Sequence, residues 1–159
     1  MSEIKNITVI GAGLMGHGIA QIFAGKGYPV TLMDLDQDLL SSAVKNIRSN
    51  LTVMADSNIG KHSEIDSVIS RIRTTTDMDE AATGTDFVVE AVSENLDLKQ
   101  KVFKELDDLC PRDTILATNT SVISITEIAS KSEFRDRIVG THFWNPPYLI
   151  PLEIGRAHV

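Results

Sequence analysis

Cysteine is nearly absent from this 159-residue chain, and the one present, Cys110, excludes an internal disulfide framework and a Cys-rich zinc site. No apolar run approaches the roughly 18 residues that a membrane-spanning helix requires, so no membrane partner is expected. The opening Met1-Ser2-Glu3-Ile4-Lys5-Asn6 lacks the apolar stretch of a secretory signal, which points to a cytoplasmic protein. Positive charge is also in deficit. A net charge of −7 argues against nucleic acid, which calls for a basic face. What is present is apolar content: 42% of residues, against 23% charged, enough for a packed core.

Short β-branched runs alternate with stretches of helical period, the pattern of a parallel α/β sheet. Strands are expected at about Lys5–Ile10, Pro29–Met33, Arg71–Thr74, Asp86–Glu90, Thr114–Thr118 and Arg137–His142. Most are nearly all apolar, as strands covered on both faces are. A first helix is expected over Leu14–Lys26, stopped by Gly27, with Ile19, Ile22 and Phe23 on one face. A second opens at the N-cap Asp36 and carries Leu40, Val44, Ile47 and Leu51. Thr52–Ser70 reads as a helical insertion. The clearest helix follows Asn95, with Leu98, Val102, Leu106 and Leu109 on a shared face and Pro111 as its stop.

The first strand runs into Gly11-Ala12-Gly13-Leu14-Met15-Gly16, which opens a helix. Gly11 permits the tight turn, Gly13 lets backbone approach a diphosphate, and Gly16 lets helix and strand pack closely. The phosphates then sit on free N–H groups at the positive end of that helix, those of Leu14 and Met15 included. Asp34 ends the second strand, where an acid binds ribose hydroxyls, and no Arg or Lys follows it. Leu35 and Asp36 come next and would repel a 2′-phosphate, so NAD is favoured over NADP.

Of four histidines, His17 reads as a packing or surface residue, His62 lies in the polar insertion, and His158 falls in an unusual tail. His142 is different, because it ends the last strand, where α/β sheets gather ligands, and an imidazole there can take a proton from an alcohol. A structural histidine remains the competing reading at that position. Polar clusters also end the fourth strand (Glu90–Asn95) and the fifth (Thr118–Ser121), either as caps or as parts of one crevice.

The motifs Gly-Ala-Gly-Leu-Met-Gly-His-Gly-Ile-Ala (11–20), Glu-Ala-Val-Ser-Glu-Asn-Leu (90–96), Asn-Thr-Ser (119–121) and His-Phe-Trp-Asn-Pro (142–146) carry a resemblance across Met1–Leu152. The chain resembles the NAD-binding domain of the L-3-hydroxyacyl-CoA dehydrogenase family. The resemblance implies a Rossmann-type doubly wound α/β fold on a mainly parallel six-stranded sheet, NAD as cofactor, and no metal. It implies His142 as the general base, with Ser121 and Asn145 holding the reacting oxygen or orienting the histidine. Glu94 and Lys99 match positions near the nicotinamide-side ribose and phosphates.

The departures also carry information. The family pairs its histidine with a glutamate at the position that is Ile154 here. Glu153–Val159 resembles the translation of a common sequencing-adapter oligonucleotide, and so reads as a non-native tail on a native 1–152 domain. The family's second, helical domain, which supplies homodimer contacts and closes the substrate site, is not in this chain. The stretch Asn50–Asp56 is nearly uncharged where many acyl-CoA members are lysine-rich. Residues 145–152 look closer to gulonate 3-dehydrogenase (lambda-crystallin) and to a pyridine-carboxylate dehydrogenase. The expected substrate is therefore a 3-hydroxyacyl-CoA, with a small hydroxy acid as the alternative. A dinucleotide-binding stub without catalysis is the reading from a different class.

Overall fold

The computed structural model describes residues 3–150; the boundary at 152 and the tail 153–159 lie outside them. Six strands, β1 (Ile7–Ile10), β2 (Val30–Met33), β3 (Ile72–Thr75), β4 (Phe87–Glu90), β5 (Ile115–Thr118) and β6 (Ile138–Gly140), form one parallel sheet. Their order is β3-β2-β1-β4-β5-β6. The chain winds outward from β1 in one direction and from β4 in the other, which leaves a crevice where the two halves meet. In this register Thr75, Met33, Ile10, Glu90, Thr118 and Gly140 lie in one row across the sheet. The residues just beyond that row are therefore the ones aimed at a ligand.

Alternation within the strands divides the core between two faces. Ile7, Val9, Leu32 and Val89 pack with Ile19, Ala20 and Ala24 of α1 (Leu14–Gly25) and with Leu40, Ala43 and Ile47 of α2 (Gln37–Asp56). Ile10, Val88 and Leu116 pack on the other face. Their partners are Ala81 and Ala82 of α4 (Met78–Ala82), Phe103 and Leu106 of α5 (Leu96–Leu109) and Ile128 of α6 (Ile125–Ile128). A short α3 (Ile65–Ile69) buries Ile65 and Val68. The expected caps are in place: Asp36 accepts the N–H groups of Asp38 and Leu39, and Asn95 accepts that of Leu98.

Three details differ from the sequence expectation. Helix α2 continues through Thr52–Asp56, so the insertion begins five residues later than periodicity suggested. Helices α4 and α6 were not anticipated, since five and four residues are too few to show a period. In α5, Leu98 and Leu109 are 38% and 36% exposed, while Lys99, Gln100 and Asp107 are buried beside Val102, Phe103 and Leu106. A purely apolar stripe mislocates a face that buries paired polar groups.

Asp107 shows why such burial is tolerated. Its Oδ1 accepts from Arg137 Nη2 at 2.8 Å, and its Oδ2 accepts the Glu133 and Phe134 N–H groups at 2.7 and 3.1 Å. Burial pushes the Asp107 carboxyl up, but the Arg137 guanidinium and those two N–H groups outweigh it and hold it below the usual range. Asp107→Ala would strand a buried guanidinium and is expected to cost about 3–5 kcal/mol in urea melts near neutral pH. The native pKa is depressed, so this contribution is intact above the ordinary carboxylate range near pH 4 and fades as pH falls below it. The gap between wild type and variant should narrow below about pH 4. Among the described residues no helix is long and apolar enough to cross a membrane.

Candidate active site

The loop after β1 is shaped by two glycines that protein packing demands. Gly11 has φ +99°, and a Cβ there would lie 2.8 Å from the Ala91 carbonyl oxygen at the end of β4. A Cβ on Gly16 would lie 1.7 Å from the Gly11 oxygen. Gly13 is different in kind: no protein atom stands within 4 Å of an added Cβ, so its bare face opens onto free space. It is also the N-cap of α1 and supplies no side-chain cap, which leaves the N–H groups of the first turn, at Leu14, Met15 and Gly16, for a ligand. The Leu14 side chain is exposed and that of Met15 packs against the core. His17, buried one turn on, donates its Nδ1–H to the Gly13 carbonyl at 2.8 Å and braces the loop from within.

Asp34 stands just past β2, half-buried. Its Oδ2 accepts the Ala12 N–H at 2.8 Å and its Oδ1 accepts the Asp36 N–H at 3.2 Å. It lines a cleft of about 820 Å³ that runs from Gly11 and Gly13 to Leu35, Val92 and Lys101. Asp77, Asp79 and Glu105 line the same cleft, so its charged lining is mainly acidic, with Lys101 as the one cation among the described residues.

The second half of the site hangs from β5 and β6. Thr141 N–H continues the sheet ladder to the Thr118 carbonyl at 2.9 Å, and Phe143 N–H donates to Asn119 Oδ1 at 2.8 Å. His142 is thus held between two anchored neighbours, and its Nε2 lies 3.0 Å from Ser121 Oγ. Trp144, half-exposed, lies with its ring centroid 5.3 Å from that of His142. Asn145 is exposed on the loop beyond. That loop rests on α1, where a Cβ on Gly18 would come within 2.5 Å of Pro147 Cγ.

Beneath Ser121 lies a chain of charge, exposed at Glu94 and buried at Lys99 and Glu90. One oxygen of Glu94, Oε1, accepts the Ser121 and Val122 N–H groups at 3.0 and 3.2 Å and the Thr120 hydroxyl. Its other oxygen lies 3.3 Å from Lys99 Nζ. Lys99 also donates to Glu90 Oε1 at 2.7 Å. Burial pushes the Glu94 carboxyl up, but the Thr120 hydroxyl, the two N–H groups and the Lys99 ammonium together hold it below the usual range.

The expected residues therefore fall into two groups. Gly11, Gly13, Leu14, Met15, Gly16 and Asp34 share the β2/β1 side, while Ser121, His142 and Glu94 share the β4/β5/β6 side. Lys99 does not line the cleft: its side chain is 1% exposed, and it acts from below. Glu90, Thr120 and Asn119 stand in the sequence only as members of the polar clusters at two strand ends, with no role of their own, yet they hold the site together. The signal for Glu90 was a charge as the last residue of an otherwise apolar strand.

The model of the family described as "3-hydroxyacyl-CoA dehydrogenase, NAD binding domain" matches residues 6–157. The chain is 42% identical over 156 residues to the probable 3-hydroxybutyryl-CoA dehydrogenase of Bacillus subtilis, covering 98% of this chain and 54% of that one. The crystal structure of 3-hydroxybutyryl-CoA dehydrogenase from Escherichia coli K12 superposes with a TM-score of 0.87 at 36% identity, over 92% of this chain and 31% of that one. An NAD+-dependent dismutase, a 5-dehydrogenase of a formyl-hydroxy-methylpyridine carboxylic acid, superposes with a TM-score of 0.82 at 35% identity, over 94% of this chain and 47% of that one. The chain spans about half the length of the curated relatives it matches. On these grounds it belongs to the 3-hydroxyacyl-CoA dehydrogenase NAD-binding domain family.

Proposed function

We propose that this chain is the cofactor-binding and proton-handling part of an NAD-dependent dehydrogenase that oxidises the secondary alcohol of a 3-hydroxyacyl-CoA to the 3-oxo product. The observation that carries the reading is the 3.0 Å contact between Ser121 Oγ and His142 Nε2 at the strand-end crevice. When bound, NAD supplies the hydride acceptor. The open face of Gly13, the uncapped start of α1 and the acidic cleft around Asp34 fit a dinucleotide without a 2′-phosphate. Gly11, Gly13, Leu14, Met15 and Gly16 would hold its diphosphate and Asp34 its ribose.

His142 Nε2 takes the proton of the substrate hydroxyl. Ser121, whose hydroxyl can donate once and accept twice, holds the same oxygen and keeps the imidazole turned toward it. Asn145, in this reading, adds a further donor to that oxygen. Glu94 sets the Ser121 backbone. Residues 1–152 are the native part in this reading and 153–159 are foreign. The complete polypeptide is a cytoplasmic homodimer.

One observation favours a second substrate class, a small hydroxy acid. No Lys or Arg occurs from Ser49 to Gly60, and Arg48 is committed to Asp66 at 2.8 Å, so the end of α2 offers no basic face to CoA phosphates. Rereading the source DNA across the Leu152 codon would supply the native continuation for an assay. With the completed polypeptide, NADH should form with 3-hydroxybutyryl-CoA. NADH from a small hydroxy acid such as gulonate alone would select the second class, and NADH from neither would leave a binding module.

A further inference from the structure

We propose that Glu90 is a positioning residue: through Lys99 it fixes Glu94, and through Glu94 the Ser121 hydroxyl that meets His142. The inference rests on the reading of His142 as the base.

Glu90 is 0% exposed at the last position of β4, in register with Ile10 on one side and Thr118 on the other. The residues before it are Phe87, Val88 and Val89, and a valine would pack in its place at no electrostatic cost. A carboxylate buried there is expensive unless every lone pair is used. It is well used. Oε1 accepts the Val92 N–H at 2.8 Å and Lys99 Nζ at 2.7 Å, and Oε2 accepts the Thr118 hydroxyl at 2.7 Å. Glu90 therefore joins the end of β4, the end of β5 and the first turns of α5 at a single carboxylate.

Lys99 has three N–H donors. Two face Glu90 and Glu94, and the third faces the Val92 carbonyl at 3.4 Å. The ammonium is thus saturated by protein groups, and its charge serves to hold two carboxylates side by side. Glu94 is the one of the pair that reaches outward, with side-chain exposure of 37% against 0% for Glu90. Its outer oxygen gathers the three consecutive residues Thr120, Ser121 and Val122. Each link is direct, so the position of the Ser121 hydroxyl is set from the buried end.

The test uses ring 15N resonances of His142 in the 159-residue chain, assigned by their loss in His142→Gln. Ser121→Ala, which removes the hydroxyl, provides the reference displacement of the Nε2 resonance. Glu90→Gln keeps shape and polarity but removes the charge that fixes Lys99, and is expected to move Nε2 in the same direction as Ser121→Ala. Glu90→Gln with Lys99→Met replaces the buried ion pair by a neutral pair of similar volume, which preserves folding, and should move it likewise. If both variants leave the His142 resonances at their wild-type positions while Ser121→Ala displaces them, Glu90 is only a structural residue and the proposal is overturned. If Ser121→Ala displaces nothing, the Ser121–His142 contact is absent in solution and the proposal falls with it. Neither result depends on turnover, which tests the role of His142 separately.

Discussion

His142→Gln in the completed polypeptide is expected to lower kcat by about 10²–10⁴-fold, the range over which a positioned general base contributes. Glutamine can still donate to Ser121, and the Thr141 and Phe143 backbone anchors do not involve the ring, so the loop stays in place. What is lost is the ring nitrogen that takes the substrate proton. Because His142 lies on the β5/β6 side and the glycine loop on the β1 side, affinity for NAD should be unchanged. A fall in kcat and kcat/KM together marks an interaction made in the transition state, whereas a rise in KM alone would mark a binding residue. Stopped-turnover assays of NADH formation read the difference. Turnover that survives the substitution would remove His142 from the chemistry.

Gly13→Val and Gly16→Val should separate binding from folding. A Cβ at Gly16 would penetrate the Gly11 carbonyl, and backbone cannot move aside without pulling α1 off β1. Thermal melts should show Tm falling by roughly 10 °C or more, as overpacking by about 3 kcal/mol does in a domain of this size. Gly13 has an ordinary extended conformation, φ −67° and ψ −163°, with empty space ahead of it. Valine there should leave Tm near wild type and reduce NAD affinity at least about tenfold, since it stands where the diphosphate must approach. Equal losses of Tm in the two variants would mean that Gly13 is also a packing glycine.

This contrast shows what a sequence can and cannot reveal. The glycine spacing, the strand before it and Asp34 after the next strand were legible because each is a local requirement of backbone geometry. The six strands were legible because β-branched runs between turn residues repeat along the chain. The burial of Lys99 is not legible in the sequence, for the opposite reason. Nothing local distinguishes a lysine that contacts phosphate from one buried between two carboxylates, because its partners lie nine residues before it and five residues before it on other elements. Glu90, Thr118 and Asn119 become partners only through sheet register, which sets strand ends side by side. The short helices α4 and α6 span too few residues to show a period, and the buried face of α5 was hidden by its polar members.

The most direct measurement is a calorimetric titration of the 159-residue chain with NAD and, separately, with NADP. Saturable one-to-one binding of NAD, at least about tenfold tighter than NADP, is the expected result, because the acidic cleft around Asp34 admits ribose hydroxyls and repels a 2′-phosphate. Absence of NAD binding by a folded chain, or equal affinity for the two dinucleotides, would contradict the assignment of this cleft.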